Sequence, residues 1–255
     1  MATESVSPGT VVEDIPRRPS PLATVLAFCR ANPLGAFGGF VVVSMCVMAI
    51  FAPYLTSYDP TANDFGAMLS APDWEHLLGT DQFGRDLLAR IIFGARTALL
   101  VGFVSSFTGC VLGLILGVTS AYFGGRFDLL FQRVMDVFMA FPLIILALAV
   151  VAIFGTGVIN VIIAITIPVI PRAARIVRAS ALAIREMPYV DATRANGFSH
   201  SRIIFRHMMP NVMAPFLIIL TAQVGQAILI EASLSFLGLG VQEPVPAWGL
   251  MLRGG

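Results

Sequence analysis

The chain has 255 residues, 57% of them hydrophobic and only 12% charged, with a mean hydropathy of +0.85. Soluble domains carry about 25% charged residues, so a single water-facing domain is excluded and a polytopic membrane protein is expected. A net charge of +1 gives no basic field for nucleic acid, and all sixteen basic residues are arginine, which leaves no lysine for a phosphate-binding P-loop.

Residues 1 to 21 are rich in Ser, Pro and acids, with Arg17 and Arg18, and read as a disordered tail. Residues 22 to 32 mix apolar positions with Arg30 and stop at Asn32-Pro33, which predicts a short helix on the membrane surface. Residues 1–33 thus form a cytoplasmic tail and surface helix, and residues 34–255 the transmembrane domain. The first span is expected at about 34 to 55, with Gly35, Gly38 and Gly39 allowing close approach of a neighbouring helix. The segment 56–95 carries Asp59, Asp64, Asp73, Glu75, Asp81 and Asp86 and has no stretch long enough to cross a bilayer. Span two, about 97 to 122, is rich in glycine (Gly102, Gly109, Gly113, Gly117) and ends at a turn on Gly124-Gly125.

Span three, about 130 to 154, carries Asp136 near its start and Pro142 within it, so a kink is expected. A tight turn at Gly155-Thr156-Gly157 leads to span four, about 158 to 178. Arg172, Arg175 and Arg178 recur every three residues on one side of its end. Span five, about 212 to 236, contains Gln223, Gln226 and Glu231. An ionisable residue inside a span is a functional-site candidate, and Asp136, Gln223, Gln226 and Glu231 form the candidate intramembrane polar set. The alternative for Glu231 is a structural hydrogen bond to a neighbouring helix. Val241 to Trp248, with Pro244 and Pro246, reads as a loop carrying an interfacial tryptophan.

Arginine asymmetry orients the chain. Seven arginines lie between residues 172 and 206, whereas Arg85 and Arg90 in 56–95 are outweighed by six acids. With the amino terminus cytoplasmic, 56–95 falls outside and 179–211 inside. That inner region is a polar island between two apolar spans. Pro188 suits a first helical position and Asp191 the first turn, where its charge meets the helix dipole. Asp191 and Arg194, three apart, can pair. Gly197 is a left-handed stop, and Ser199 caps a second short helix that ends before Pro210. The island is either a solvated loop or a docking element for a soluble partner.

Asp191-Ala192-Thr193, then Gly197, His207 and Pro210-Asn211, resemble the EAA motif of binding-protein-dependent ABC importer permeases. Asp191 stands where Glu is usual and Thr193 where Ala is usual. Leu78-Gly79-Thr80-Asp81-Gln82-Phe83-Gly84-Arg85-Asp86 and Ser235-Phe236-Leu237-Gly238-Leu239-Gly240 resemble the second permease subunit of the dipeptide/oligopeptide/nickel branch. The resemblance covers roughly residues 30 to 255. It implies an all-α polytopic bundle of the type I importer class, with five spans visible and a sixth beyond Gly255. It implies a multi-pass protein of the bacterial inner membrane that forms half of a pore for dipeptides, oligopeptides or related solutes. The implied partners are a second homologous permease, one or two ABC ATPase subunits, an extracytoplasmic solute-binding protein and the lipid bilayer. ATP and Mg would be bound by the ATPases, with no cofactor in this chain. The implied ATPase-docking helix uses Tyr189, Asp191, Ala192, Arg194 and Gly197, supported by Arg202, Arg206, His207, Pro210 and Asn211.

No nucleophile elbow and no HExxH pattern occurs, and His76, His200 and His207 are too scattered for a metal site, so no catalysis is expected. Cys29, Cys46 and Cys110 have neither metal spacing nor an evident disulfide partner. The alternative function is a proton-coupled secondary transporter working through Asp136 and Glu231.

Overall fold

A computed structural model describes residues 20–253. The disorder expected for residues 1 to 21 falls, up to residue 19, outside the described residues. Among the described residues the regular structure is helical, with no β-strand. Chain contacts divide the molecule into Met1–Ser44 and Met45–Gly255. The first unit holds α1 (Pro21–Ala31) and the start of α2 (Pro33–Leu55). Pro33 opens α2, where its missing N–H is not needed. At about 1.5 Å per residue, the 23 residues of α2 reach across a hydrocarbon core of about 30 Å.

The second unit is built on α3 (Leu87–Phe123), with α6 (Val158–Arg185) and α9 (Met213–Phe236) packed along it. Glycine makes the first contact possible. Gly109, Gly113 and Gly117 lie four apart on one face of α3, against Val169, Ala173 and Ala174 of α6. Small residues let helix backbones approach, and the resulting dispersion contacts replace a hydrophobic drive that lipid does not supply. Gly102 meets Ile228 of α9 in the same way. Ile165, Val169, Val177, Val118 and Leu234 fill the buried centre. Large apolar side chains such as Phe103, Phe107, Leu217, Ile218 and Leu229 face outward, as lipid or a partner helix requires.

Among the described residues, four helical segments are long and apolar enough to span a membrane, or five if a bent pair counts as one. The bent pair corrects the expected kinked span at 130 to 154. The chain instead forms α4 (Gly125–Met139) and α5 (Leu143–Phe154), which meet at 87°. Pro142 sits at the amino end of α5, where it cannot continue a hydrogen-bond ladder from α4. Two ion pairs, Asp128 with Arg178 and Asp136 with Arg175, tie α4 to α6.

The expected boundaries of spans two and four also shift. Helix α3 begins ten residues earlier than position 97, because Asp86 is extended and accepts from the Ala89 N–H at 2.7 Å. Helix α6 continues to Arg185, whose side chain reaches the Ala121 carbonyl. The bundle therefore has two ends. One gathers the 56–86 segment, the Gly155–Gly157 turn and the chain after Phe236, with the Gly157 N–H donating to Gly240 O at 3.1 Å. The other gathers the Gly124 turn and residues 185–211, joined by Tyr122 and His200 at 2.7 Å.

Residues 56–86 have no helix or strand but are bonded internally. The Asp64 N–H donates to Phe83 O at 3.1 Å and the Leu69 N–H to Asp81 O at 3.1 Å. Gly84 has φ +73°, and a side chain there would collide with the Asp64 carbonyl. Trp248, expected in a loop, starts a short helix, α10 (Trp248–Arg253), and donates its indole N–H to Ile91 O at 3.0 Å.

Candidate functional site

The polar island folds as a helix, a glycine break and a second helix. Helix α7 (Pro188–Ala195) has Pro188 at its first position and Asp191 in its first turn. Asp191 pairs with Arg194 at 3.1 Å, the expected three-residue contact. The Asn196 side chain returns to Ala192 O at 2.8 Å, and Gly197 turns at φ +72°. Ser199 then caps the next helix by accepting from the Arg202 N–H at 3.4 Å.

The second helix does not stop before Pro210. It starts as α8 (His200–Arg202), widens into a π turn (Ile203–Met208), tightens into a 3-10 turn (Met209–Val212) and runs on into α9. Pro210 cannot donate to the ladder, and the widened turn absorbs its ring by shifting the Met209 N–H to Ile204 O. Side chains bond the local backbone instead. Asn211 Nδ2 donates to His207 O at 2.7 Å, and the Tyr189 hydroxyl donates to the same carbonyl at 3.2 Å. Asn211 also donates to the Tyr189 hydroxyl at 3.1 Å, so Tyr189 and Asn211 act together to pin α7 against the start of the α9 segment. Burial pushes the Tyr189 phenol above its ordinary pKa.

One face of α7 is anchored. Val190, Thr193, Ile203, Ile204 and Met208 are buried, and Thr193 returns its hydroxyl to Val190 O at 2.7 Å. Each such apolar side chain removed from water contributes about 1.5–3 kcal/mol. The other face is turned outward: Asp191, Ala192, Arg194 and Gly197 are all exposed. Arg202 lies over the Phe198 ring at 4.2 Å and His207 stacks on that ring at 5.6 Å, so both brace the turn. Arg206 is exposed. Arg194 also lies over the Tyr122 ring at 5.1 Å, which links α7 to the end of α3.

Asp136, Gln223, Gln226 and Glu231 do not come together as a bonded set. Asp136 pairs with Arg175, and Gln226 accepts from Arg172 at 3.4 Å. Glu231 is buried and accepts from Ser235 at 2.7 Å, one turn along its own helix rather than across to a neighbour. Gln223 is buried with its Nε2 unbonded. Among the described residues no group of three His, Cys, Asp or Glu could hold a metal.

Comparison with known proteins interprets this arrangement. The family described as binding-protein-dependent transport system inner membrane component matches residues 109–254. The chain belongs to that family. A second match, the N-terminal TM domain of oligopeptide transport permease C, covers residues 20–72 of the permease. The permease is 41% identical to the dipeptide transport system permease protein DppC of Alkalihalophilus pseudofirmus, over 91% of this chain and 77% of that one. It is 46% identical to a putative peptide transport system permease protein of Brucella suis, over 85% and 73% respectively. Among solved structures it is similar in fold to the MetNI methionine ABC transporter in an inward-facing form. That match has a TM-score of 0.52 and 23% identity over 60% of this chain and 76% of the other.

Sequence reading passed over a cluster at the opposite end of the permease. Asp81, Arg85, Arg90 and Glu243 meet there through ion pairs. The four-residue spacing of Asp81 and Arg85 was a local signal, but nothing in the sequence joins them to Glu243, 158 positions away. Burial lowers the pKa of Arg85, but its bonds to Glu243 and Asp81 outweigh that and leave it raised.

Proposed function

We propose that this permease is the second membrane subunit of an ATP-driven importer, forming half of a pore for dipeptides, oligopeptides or related solutes. The reading sets the end bearing α7 in the cytoplasm of a bacterial cell, with the amino terminus on the same side. A second homologous permease completes the pore. One or two ABC ATPase subunits bind ATP and Mg and dock on α7, and an extracytoplasmic binding protein delivers the solute. The names of the related dipeptide and peptide transport permeases support this solute class.

One observation carries the reading: α7 is amphipathic, with one face locked to the bundle and the other exposed. A push on Asp191, Ala192 and Arg194 passes through Val190 to Ile203, Ile204 and Met208. These begin a helical segment that continues unbroken from His200 to Phe236. A continuous helix moves as a lever, so closure of the ATPases would tilt the spans between inward- and outward-open states. Each state would be selected by its differential contacts.

Asp191→Arg tests the reading in the assembled importer. Uptake should fall to background while the chain remains in the membrane and its ATPases lose stimulation by solute. Unchanged uptake in Asp191→Arg and in Gly197→Trp would overturn it. Uptake that survives ATP depletion but collapses with the proton gradient would replace it with the carrier reading.

A further inference from the structure

The end of the bundle opposite α7 holds a cavity of about 200 Å³, lined by Thr80, Asp81, Arg85, Arg90 and Glu243 among others. At roughly 30 Å³ of liquid volume per water, that space admits a small organic anion. Both arginines are almost wholly buried, with Arg85 4% and Arg90 1% exposed. A guanidinium carries five N–H donors and is costly to bury unless they are bonded.

The two arginines fare differently. Arg85 donates from Nε to Asp81 at 2.7 Å and from both terminal nitrogens to Glu243. Arg90 donates from Nη1 to Pro60 O at 3.1 Å, but its Nη2 lies 3.4 Å from either Glu243 oxygen. Charge-assisted bonds are ordinarily about 2.7–2.9 Å. Arg90 Nε is buried with no hydrogen bond, and the Asp81 carboxylate oxygen facing it is 3.6 Å away. One Glu243 carboxylate is therefore divided between two guanidiniums and serves Arg90 poorly.

The two acids also differ. Asp81 is held in place by the Phe83 and Arg85 N–H groups, at 2.8 and 3.0 Å, and its side chain is 14% exposed. Glu243 has a side chain 42% exposed and enters from a segment without helix or strand. Asp81 is the fixed counter-ion and Glu243 the movable one.

We propose that this cavity is a binding subsite for a small carboxylate ligand, which takes the place of Glu243 on Arg85 and Arg90. Glu243 is then a built-in occupant that holds the buried charges when the ligand is absent. The site stands on its own residues and is independent of how α7 couples to any partner.

The test uses the full chain in lipid nanodiscs with whatever subunits co-purify. Its melting temperature is followed against sodium acetate, with sodium chloride at equal ionic strength and acetamide as controls. Binding to the folded state raises the melting point with ligand concentration. The wild type should be stabilised by acetate and not by either control. Glu243→Gln removes the competitor and should reach the same shift at an acetate concentration on the order of tenfold lower. Met251→Trp, which fills the cavity from its wall, should abolish the acetate response and leave the melting point without acetate close to that of the wild type. Equal shifts in acetate and chloride would overturn the proposal. So would an acetate response confined to Glu243→Gln, which would make Glu243 a permanent structural ligand.

Discussion

Gly113→Ala puts one methyl group into the α3–α6 contact. The new Cβ would stand 2.6 Å from the Ala173 Cβ, 2.8 Å from the Ala174 nitrogen and 2.9 Å from the Ile170 oxygen. Two of these three neighbours are backbone, so no rotamer change relieves them. Overpacking of this kind costs about 1–3 kcal/mol. Alanine returns up to about 1 kcal/mol through its better helix propensity. With two unyielding backbone contacts the cost falls in the upper part of that range, about 2–3 kcal/mol, so the net expectation is a loss of about 1–2 kcal/mol, or a factor of roughly 5 to 30 in the folded-to-unfolded ratio. Reversible unfolding in mixed micelles of increasing denaturing detergent reads this directly. Adding Ala173→Gly removes the methyl clash but leaves both backbone contacts, so rescue should be partial. Gly225→Ala is the control: its Cβ meets nothing within 4 Å, and it should be neutral or slightly stabilising. A Gly113→Ala chain as stable as the wild type, or full rescue by Ala173→Gly, would refute the claim that backbone approach sets this interface.

Three further outcomes follow from single residues. Gly197→Ala places a side chain at φ +72° in open space, so it should cost about 1–2 kcal/mol through backbone strain alone, seen as faster amide exchange across residues 193–199. Tyr189→Phe removes one donated and one accepted bond, about 0.5–1.5 kcal/mol each, and should loosen α7 without unfolding the bundle, as limited proteolysis at the island would report. Because burial raises the folded Tyr189 pKa above its unfolded value near 10, its contribution is complete below that value and is lost as pH rises through the folded pKa; ultraviolet titration of wild type against Tyr189→Phe isolates the late-ionising phenol. Asp86→Ala removes the cap on α3 and a partner of His76 at 3.0 Å, so the first turn should fray at a cost of about 0.5–2 kcal/mol, detected by amide exchange at residues 87–90.

Local chemistry was legible from the chain wherever one residue acts on its own neighbours. The apolar runs located the four long apolar helices among the described residues, because a bilayer demands a continuous length of unbroken hydrophobic helix. Pro188, Gly197 and Ser199 marked the start, the stop and the new cap of the island, since each acts within four residues of itself. Pro142 was visible as a disruption, but its consequence was not. Whether a proline kinks a span or splits it depends on what holds the two halves, and here Asp128–Arg178 and Asp136–Arg175 hold α4 against α6. Pro210 misled in the other direction, because the Met209 N–H shifts to Ile204 O and the helix runs on through a widened turn.

The sequence by itself determined the class of molecule, four long apolar helices and the polar island between two of them, because composition, run length and short-range capping need no distant partner. The tertiary structure alone decided which face of α7 is exposed, that Asp136, Gln226 and Glu231 bond to separate partners, and that Glu243 closes on two buried arginines far away in the chain. Those outcomes depend on side chains brought together by helix packing, and a guanidinium buried in one segment selects its counter-charge by distance in space, not by position along the chain.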